Sequence, residues 1–186
     1  IDKIKIQGPV RGPRNLLDHY RKKILKSRPL RAFDLERYLL LIDDLPGVTA
    51  KSVLTPSEDK PSATTMTLIL SDKAFEGHVG TDNRGSKFNG PYQFSGDLTA
   101  NSLFGNHSRS GLQGVITSQT EELLFLNAFW DIPLYQEGTR LFFSGSLSNS
   151  EPGSSLKKFN INGDSKTITL RLTHPFIRSR GKNLTG

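Results

Sequence analysis

Cysteine is absent from the 186 residues. That excludes a disulfide framework, zinc–thiolate sites and thiol catalysis, and leaves the compartment open. No apolar run approaches the roughly 20 residues of a membrane-spanning helix. A transmembrane strand stays possible, because it needs only about 9–11 residues that alternate. Apolar residues make up 34%, below the globular norm of about 45–50%. A catalytic constellation is missing as well. The four histidines, His19, His78, His107 and His174, fall in separate elements without metal-binding spacing. Glu121–Glu122 and Asp43–Asp44 are adjacent carboxylates, and neighbours on a strand point to opposite faces. Asn106-His107-Ser108 reads as a tight turn rather than a triad, and Gly111-Leu112-Gln113-Gly114 is too sparse for a phosphate loop. No enzymatic activity, metal or cofactor is expected.

What is present is basic and rich in turns. Lys and Arg number 25 against 18 Asp and Glu, a net charge of +7, with 17 Gly and 10 Pro. The chain begins at Ile1 without an initiator Met or signal-peptide pattern. It stops at Gly186, straight after a strand-like run. Both ends read as cuts in a longer protein.

Two kinds of patterning divide the chain near residue 74. Ile4 and Ile6 alternate with Lys3 and Lys5 as a short half-buried strand. Leu16, Leu17, Tyr20, Ile24 and Leu25 recur at helical spacing, with Asn15 as the expected cap and Pro29 beyond the end. Leu35, Tyr38, Leu39 and Ile42 form a second helical stripe, with Asp34 as its expected cap and Pro46-Gly47 as its stop. Strands at Thr49–Thr55 and Thr65–Leu70 follow. The order is β-α-α-β-β.

Residues 75–186 show no helical stripe. Period-two patterning predicts six strands near 75–81, 92–103, 109–118, 123–132, 140–149 and 166–174. Tyr92, Phe94, Leu98, Leu141, Phe143, Leu147, Ile168, Leu170 and Leu172 fall on apolar faces. Asp97, Asn101, Asn127, Asp131 and Arg171 fall on polar ones. Such strands fit a soluble sheet or a barrel wall in lipid. The first and fifth connections, the longest, lie on one side, as in an outer-membrane barrel; the third, on the same side, is short. Trp130 and Tyr135 sit near a strand end, where aromatic girdles lie.

Four segments resemble one family. Leu35–Val48, with Leu45-Pro46-Gly47, resembles the second helix and turn of a POTRA domain in the outer-membrane transporters of two-partner secretion, the hemolysin and hemagglutinin secretion/activation family. Asp82-Asn83 with Gly85 and Gly90 resembles the first barrel strand and its loop. Pro133-Leu134 with Gly138-Thr139 resembles a turn between barrel hairpins, and Pro175 with Arg178, Arg180 and Asn183-Leu184 a later segment. All four occur in family order.

The resemblance implies an α+β POTRA domain over 1–74, next to the membrane. The N-terminal, roughly six-stranded antiparallel part of a transmembrane β-barrel would follow over 75–186. It implies a Gram-negative outer-membrane transporter, without nucleotide or metal, whose POTRA domains capture an unfolded exoprotein in the periplasm. The barrel then passes that chain to the surface. The family's plug helix, first POTRA domain and later loop motif would lie outside these residues. Two open sheet edges would make the piece prone to aggregation by itself. The alternatives are a POTRA–barrel factor for outer-membrane protein assembly and a soluble α+β peptide-binding module.

Peptide capture by strand addition fits such a domain. The expected client edge is Thr49–Thr55, with Thr49, Lys51, Val53 and Thr55 as binding residues beside the helix groove. Lys51 would meet acidic client residues. The competing reading is an ordinary edge whose lysine discourages aggregation. Arg21-Lys22-Lys23 with Lys26 form a basic helix face, read first as solvated and otherwise as a surface for acidic clients or anionic lipid. Nucleic acid is not an expected partner, because no aromatics interleave with these charges.

Overall fold

In the computed structural model, residues 1–134 and 136–186 are described. Tyr135, expected beside Trp130 in an aromatic girdle, lies outside the described residues. The first unit follows the expected order: β1 (Lys3–Gln7), α1 (Asn15–Lys26), α2 (Ala32–Asp43), β2 (Val48–Pro56) and β3 (Thr64–Asp72). β3 takes the centre of the sheet, parallel to β1 and antiparallel to β2. Its Met66, Leu68 and Leu70 alternate inward and join Leu17, Tyr20, Ile24, Tyr38, Leu41 and Ile42 in one core.

Both expected helix caps are corrected. Asn15 is the first helical residue; Arg14 precedes it in helical conformation, and no side chain caps α1. Asp34 lies inside the first turn of α2, after Arg31. Ser27 closes that corner instead. Its hydroxyl donates to Asp34 Oδ2 at 2.7 Å and accepts the Arg31 N–H at 3.1 Å. Asp34 still favours the positive end of the helix dipole.

After Asp72 only Lys73 and Ala74 intervene before β4 (Phe75–Asp82). β5 (Gln93–Asn101), β6 (Arg109–Thr117), β7 (Leu124–Pro133), β8 (Arg140–Ser150) and β9 (Gly163–Thr173) each pair antiparallel with the strand before. β4 and β9 are the edges of this six-stranded sheet. Two features go beyond the sequence expectation. A 3-10 helix, Ser154–Phe159, stands in a stretch expected to hold none. It is a local run of i→i+3 bonds with no apolar stripe to betray it. And β10 (Pro175–Arg178) pairs with β11 (Asn183–Thr185) as a small separate hairpin.

Register gives the sheet two unlike faces. Leu98 lies opposite Leu112, Leu112 opposite Ala128, Ala128 opposite Gly145 and Gly145 opposite Ile168. Alternation then collects Phe94, Leu98, Leu112, Ile116, Leu126, Trp130, Leu141, Phe143, Leu147, Ile168, Leu170 and Leu172 on one face. Tyr92, just before β5, continues that face by the same alternation. Asp97, Asn101, Asn127, Asp131 and Arg171 share the other face, as their spacing predicts. Arg140 bonds Asp131 there at 3.0 Å, and Asn127 bonds Gln113 at 3.1 Å.

Connections 83–92, 118–123 and 151–162 share the rim far from the helices. They are tied by Gly153 N–H to Phe88 O at 2.7 Å and Glu151 N–H to Glu121 O at 3.1 Å. Glu121–Glu122 therefore sit in a turn and not on a strand. Asp82 ends β4 and its Oδ1 accepts the Arg84 N–H at 2.9 Å; Asn83 and Gly85 open the long connection, where Gly85 abuts Gly90. Connections 102–108 and 134–139 and the β10–β11 hairpin share the opposite rim, on the side of the first unit.

Candidate functional site: a free strand edge beside a two-faced wall

Among the described residues, β2 has a neighbour on one side only. In an antiparallel pair, backbone groups alternate between facing the partner strand and facing away. The Ala50 N–H leaves the β3 ladder and donates to Asp43 Oδ1 at 3.0 Å. By that alternation Ser52 and Leu54 also turn their N–H and C=O groups outward, without the cover that Asp43 gives Ala50. Thr49, Lys51, Val53 and Thr55 face β3 with their backbone. Their exposed side chains project from the sheet surface away from the helices, as their partners Ser71, Ile69, Thr67 and Thr65 do. The side chains on the helix side are those of Ala50, Ser52 and Leu54.

The Val48 end of β2 opens into a polar cleft of about 610 Å³. Asp43, Thr49 and Lys73 line one wall; Glu76, Thr99 and Arg109, from the polar face of the six-stranded sheet, line the other. At its base Gly47 lies in the left-handed region (φ 72°) and its carbonyl accepts the Lys73 N–H at 2.8 Å. A Cβ there would strike Lys73 O and the Asn101 side chain. The Pro46-Gly47 pair thus ends α2 and admits the link between the two sheets.

The first unit meets the near rim at three places: the turn carrying Glu137, the β10–β11 hairpin and the connection carrying His107. Glu137, in connection 134–139, lies 2.9 Å from Lys23 Nζ, 3.4 Å from His19 Nε2, 3.4 Å from Tyr38 Oη and 3.7 Å from an Arg37 nitrogen. Arg37 also donates to Pro175 O at 3.1 Å. The Arg178 guanidinium grips the Asp44 carboxylate with two bonds of 2.7 and 2.6 Å, and Arg180 N–H donates to Glu36 at 2.8 Å. His107 is 1% exposed, and its Nε2 donates to Pro13 O at 3.1 Å. Gly138 (φ 89°) lies against Leu41 and Pro175, where a Cβ would clash.

Electrostatics follow from these partners. Burial pushes the Glu137 carboxyl up. Hydrogen bonds from Lys23 and His19, with the Lys23 and Arg37 charges, outweigh it and hold the group below its ordinary 4.5. Lys23 is correspondingly raised by its bond to Glu137. Burial raises the Tyr20 and Tyr38 phenols, with Glu137 adding to both. Burial also lowers His107, against its Pro13 bond, so the ring stays neutral at pH 7. A carboxyl whose folded pKa is depressed stabilises above its unfolded pKa, and the contribution is lost as pH falls through the folded value. Acidification below 4.5 should therefore loosen this contact. Glu137→Gln should flatten the acid limb of a stability–pH curve; an unchanged limb would count against the assignment.

Several residues behave differently from their sequence reading. Lys23 is engaged with Glu137 and Arg21 with Asp18 at 3.3 Å, so α1's basic face is partly spent inside the molecule. Lys22 and Lys26 remain exposed. Leu45 is a core residue, Pro133 ends β7, and Pro175 is buried beside the α2 contact. Arg178 and Arg180 reach α2. Sequence reasoning missed the roles of Glu137 and His107. Their only local signal was position in a turn, and burial there comes from a partner distant in sequence.

The comparisons agree with this architecture. The solved structure of CdiB from Escherichia coli superposes with a TM-score of 0.65 at 22% identity, covering 96% of this chain and 33% of that one. BamA from Haemophilus ducreyi lacking POTRA domains 1-3 gives 0.52 at 13% identity over 94% of this chain and 32% of that one. The first unit is thus a POTRA domain, and the open sheet the beginning of a β-barrel wall. Among curated relatives, the heme/hemopexin transporter protein HuxB of Haemophilus influenzae is 28% identical over 148 residues, 78% of this chain and 26% of HuxB. The chain therefore spans about a quarter of that relative's length. The profile of the haemolysin secretion/activation proteins ShlB/FhaC/HecB matches residues 70–185, and the chain belongs to that family.

Proposed function

We propose that the chain is the part of an outer-membrane transporter of two-partner secretion where a periplasmic POTRA domain, residues 1–74, joins the first strands of the barrel, residues 75–186. The transporter receives an unfolded exoprotein in the periplasm and passes it to the cell surface along the polar face of the wall. One observation carries the reading: a POTRA sheet with a free edge is fused to a wall whose other face is apolar across all six strands. That face suits lipid hydrocarbon, and the face bearing Asp97, Asn127 and Arg171 suits a wet lumen. Outer-membrane assembly factors share the fold; the family match favours secretion.

Capture works through backbone chemistry. An extended client adds beside β2, bonding the outward N–H and C=O groups of Ser52 and Leu54. Main-chain bonds tolerate any client sequence, as a carrier of unfolded chains requires. Thr49, Lys51, Val53 and Thr55 act through side chains on the outer surface of the sheet, where Lys51 attracts acidic client residues.

Ser52→Pro tests this. Proline on an outward-facing edge position removes a donor without breaking the β3 ladder. Client-peptide affinity is expected to fall about tenfold, the order of one or two lost backbone bonds. Secretion should fall with it while the circular dichroism spectrum stays unchanged. Undiminished peptide binding would mean that capture does not use this edge.

A further inference from the structure

Independent domains joined by a short link move relative to one another unless their interface is large. Here the covalent link is Lys73–Ala74 alone, yet two rim elements, the turn carrying Glu137 and the β10–β11 hairpin, grip the POTRA helices, and a third, 102–108, holds the loop before α1 through His107 and Pro13. We propose that Arg178 and Glu137 are positioning residues. They clamp α2 so that the client edge of β2 opens into the cleft facing the polar wall. This rests on the reading of β2 as the client edge.

The physical case begins at the end of α2. Its last turn carries no basic residue and it closes on Asp43–Asp44. Carboxylates at a helix C-terminus oppose the dipole, so this end needs outside cations. The two carboxylates divide their work. Asp43 turns to β2 and takes the Ala50 N–H; Asp44 turns away and takes both arms of the Arg178 fork. A planar guanidinium on a carboxylate fixes direction as well as distance. About two turns earlier, Arg37 spans Glu137 and the Pro175 carbonyl, and Glu36 accepts the Arg180 N–H. α2 is thus a strut, with the client edge tied to one side and the barrel rim to the other. Gly138 allows the rim turn to approach only because it lacks a Cβ. The two surfaces therefore fit in one pose. In that pose the Val48 end of β2 faces Glu76, Thr99 and Arg109 across the cleft. A client chain leaving the edge meets polar wall and not lipid.

The test uses the full transporter that carries this chain, in nanodiscs. Spin labels go on cysteines introduced at Lys5, exposed on β1 away from the client edge, and at Gln119, since these residues include no cysteine of their own. The unmodified pair should give one narrow distance distribution. Arg178→Asp should broaden it and reduce exoprotein secretion about tenfold, the order expected for losing a charge-assisted pair. Client-peptide affinity for the β2 edge should not change. The swap Asp44→Arg with Arg178→Asp should restore both the narrow distribution and secretion, which a merely structural arginine would not do. If Arg178→Asp fails to insert, Arg178→Gln with Glu137→Gln is read instead, with broadening again expected. A broad distribution in the unmodified protein would overturn the proposal. So would a narrow one in the variants, or a swap that restores neither. Loss of peptide affinity with the distribution still narrow would place Arg178 in client contact and overturn it too. Failure of Ser52→Pro to weaken binding would instead strike the β2 reading and leave the clamp standing.

Discussion

Arginine at Leu112 is expected to block insertion of the barrel wall into a bilayer, while arginine at the adjacent Gln113 is tolerated. The two residues neighbour each other on β6 and so project to opposite faces. Leu112 lies mid-strand on the face shared with Leu98, Leu126 and Ile168. An arginine near the midplane of the lipid face costs about 2–4 kcal/mol. Gln113 shares its face with Asp97 and Asn127 and gives up only its bond to Asn127. Folding yield in phospholipid vesicles and urea titration of the inserted protein measure both. Equal effects from the two substitutions, or free insertion of Leu112→Arg, would show that the apolar face does not meet hydrocarbon.

Leu68→Ala should unfold the POTRA domain or bring it close to unfolding. Leu68 is 0% exposed at the centre of β3, the strand that both β1 and β2 depend on for pairing. Deleting a buried leucine to the Cβ costs about 2–5 kcal/mol, part transfer and part cavity. A domain of this size commands about 4–11 kcal/mol in all, at roughly 0.05–0.15 kcal/mol per residue. Its neighbour Ile69 is 44% exposed on the opposite face, and Ile69→Ala should cost under about 1 kcal/mol. The midpoint of urea unfolding, at constant slope, separates the two. A small shift for Leu68→Ala would mean that the sheet does not close on the helices as described.

The contrast between these pairs explains what could be read in advance. Side-chain direction on a strand is set by backbone alternation alone. The faces holding Leu98 and Asp97, or Leu141 and Ser144, were therefore visible before any pairing was known. The stripes of α1 and α2 were visible for the same reason at period 3.6. The caps were not. Arg14 and Arg31 precede the helices without a capping side chain, and the corner is closed by Ser27, seven residues before its partner Asp34. The 3-10 helix Ser154–Phe159 carries no apolar period, so nothing in its pattern announced it.

The candidate site divides in the same way. Thr49–Thr55 could be named as a strand, and the resemblance to a POTRA domain suggested it as the client edge. Which of its residues offer free backbone depended on where β3 pairs and on Asp43 taking the Ala50 N–H. Glu137 reads in sequence as one acidic residue in a turn; its role follows from His19, Lys23 and Arg37, about a hundred residues away.

Sequence by itself determined the two α-helices, the strands of both sheets and their order, the two faces of the wall and the family likeness, because local periodicity and short motifs carry all of these. Tertiary structure decided that β3 is central and β2 has a free edge, that Ser52 and Leu54 present it, and that Arg178 and Glu137 bind the POTRA helices to the rim. Those outcomes depend on pairing and burial between segments far apart in the chain, which no local pattern encodes.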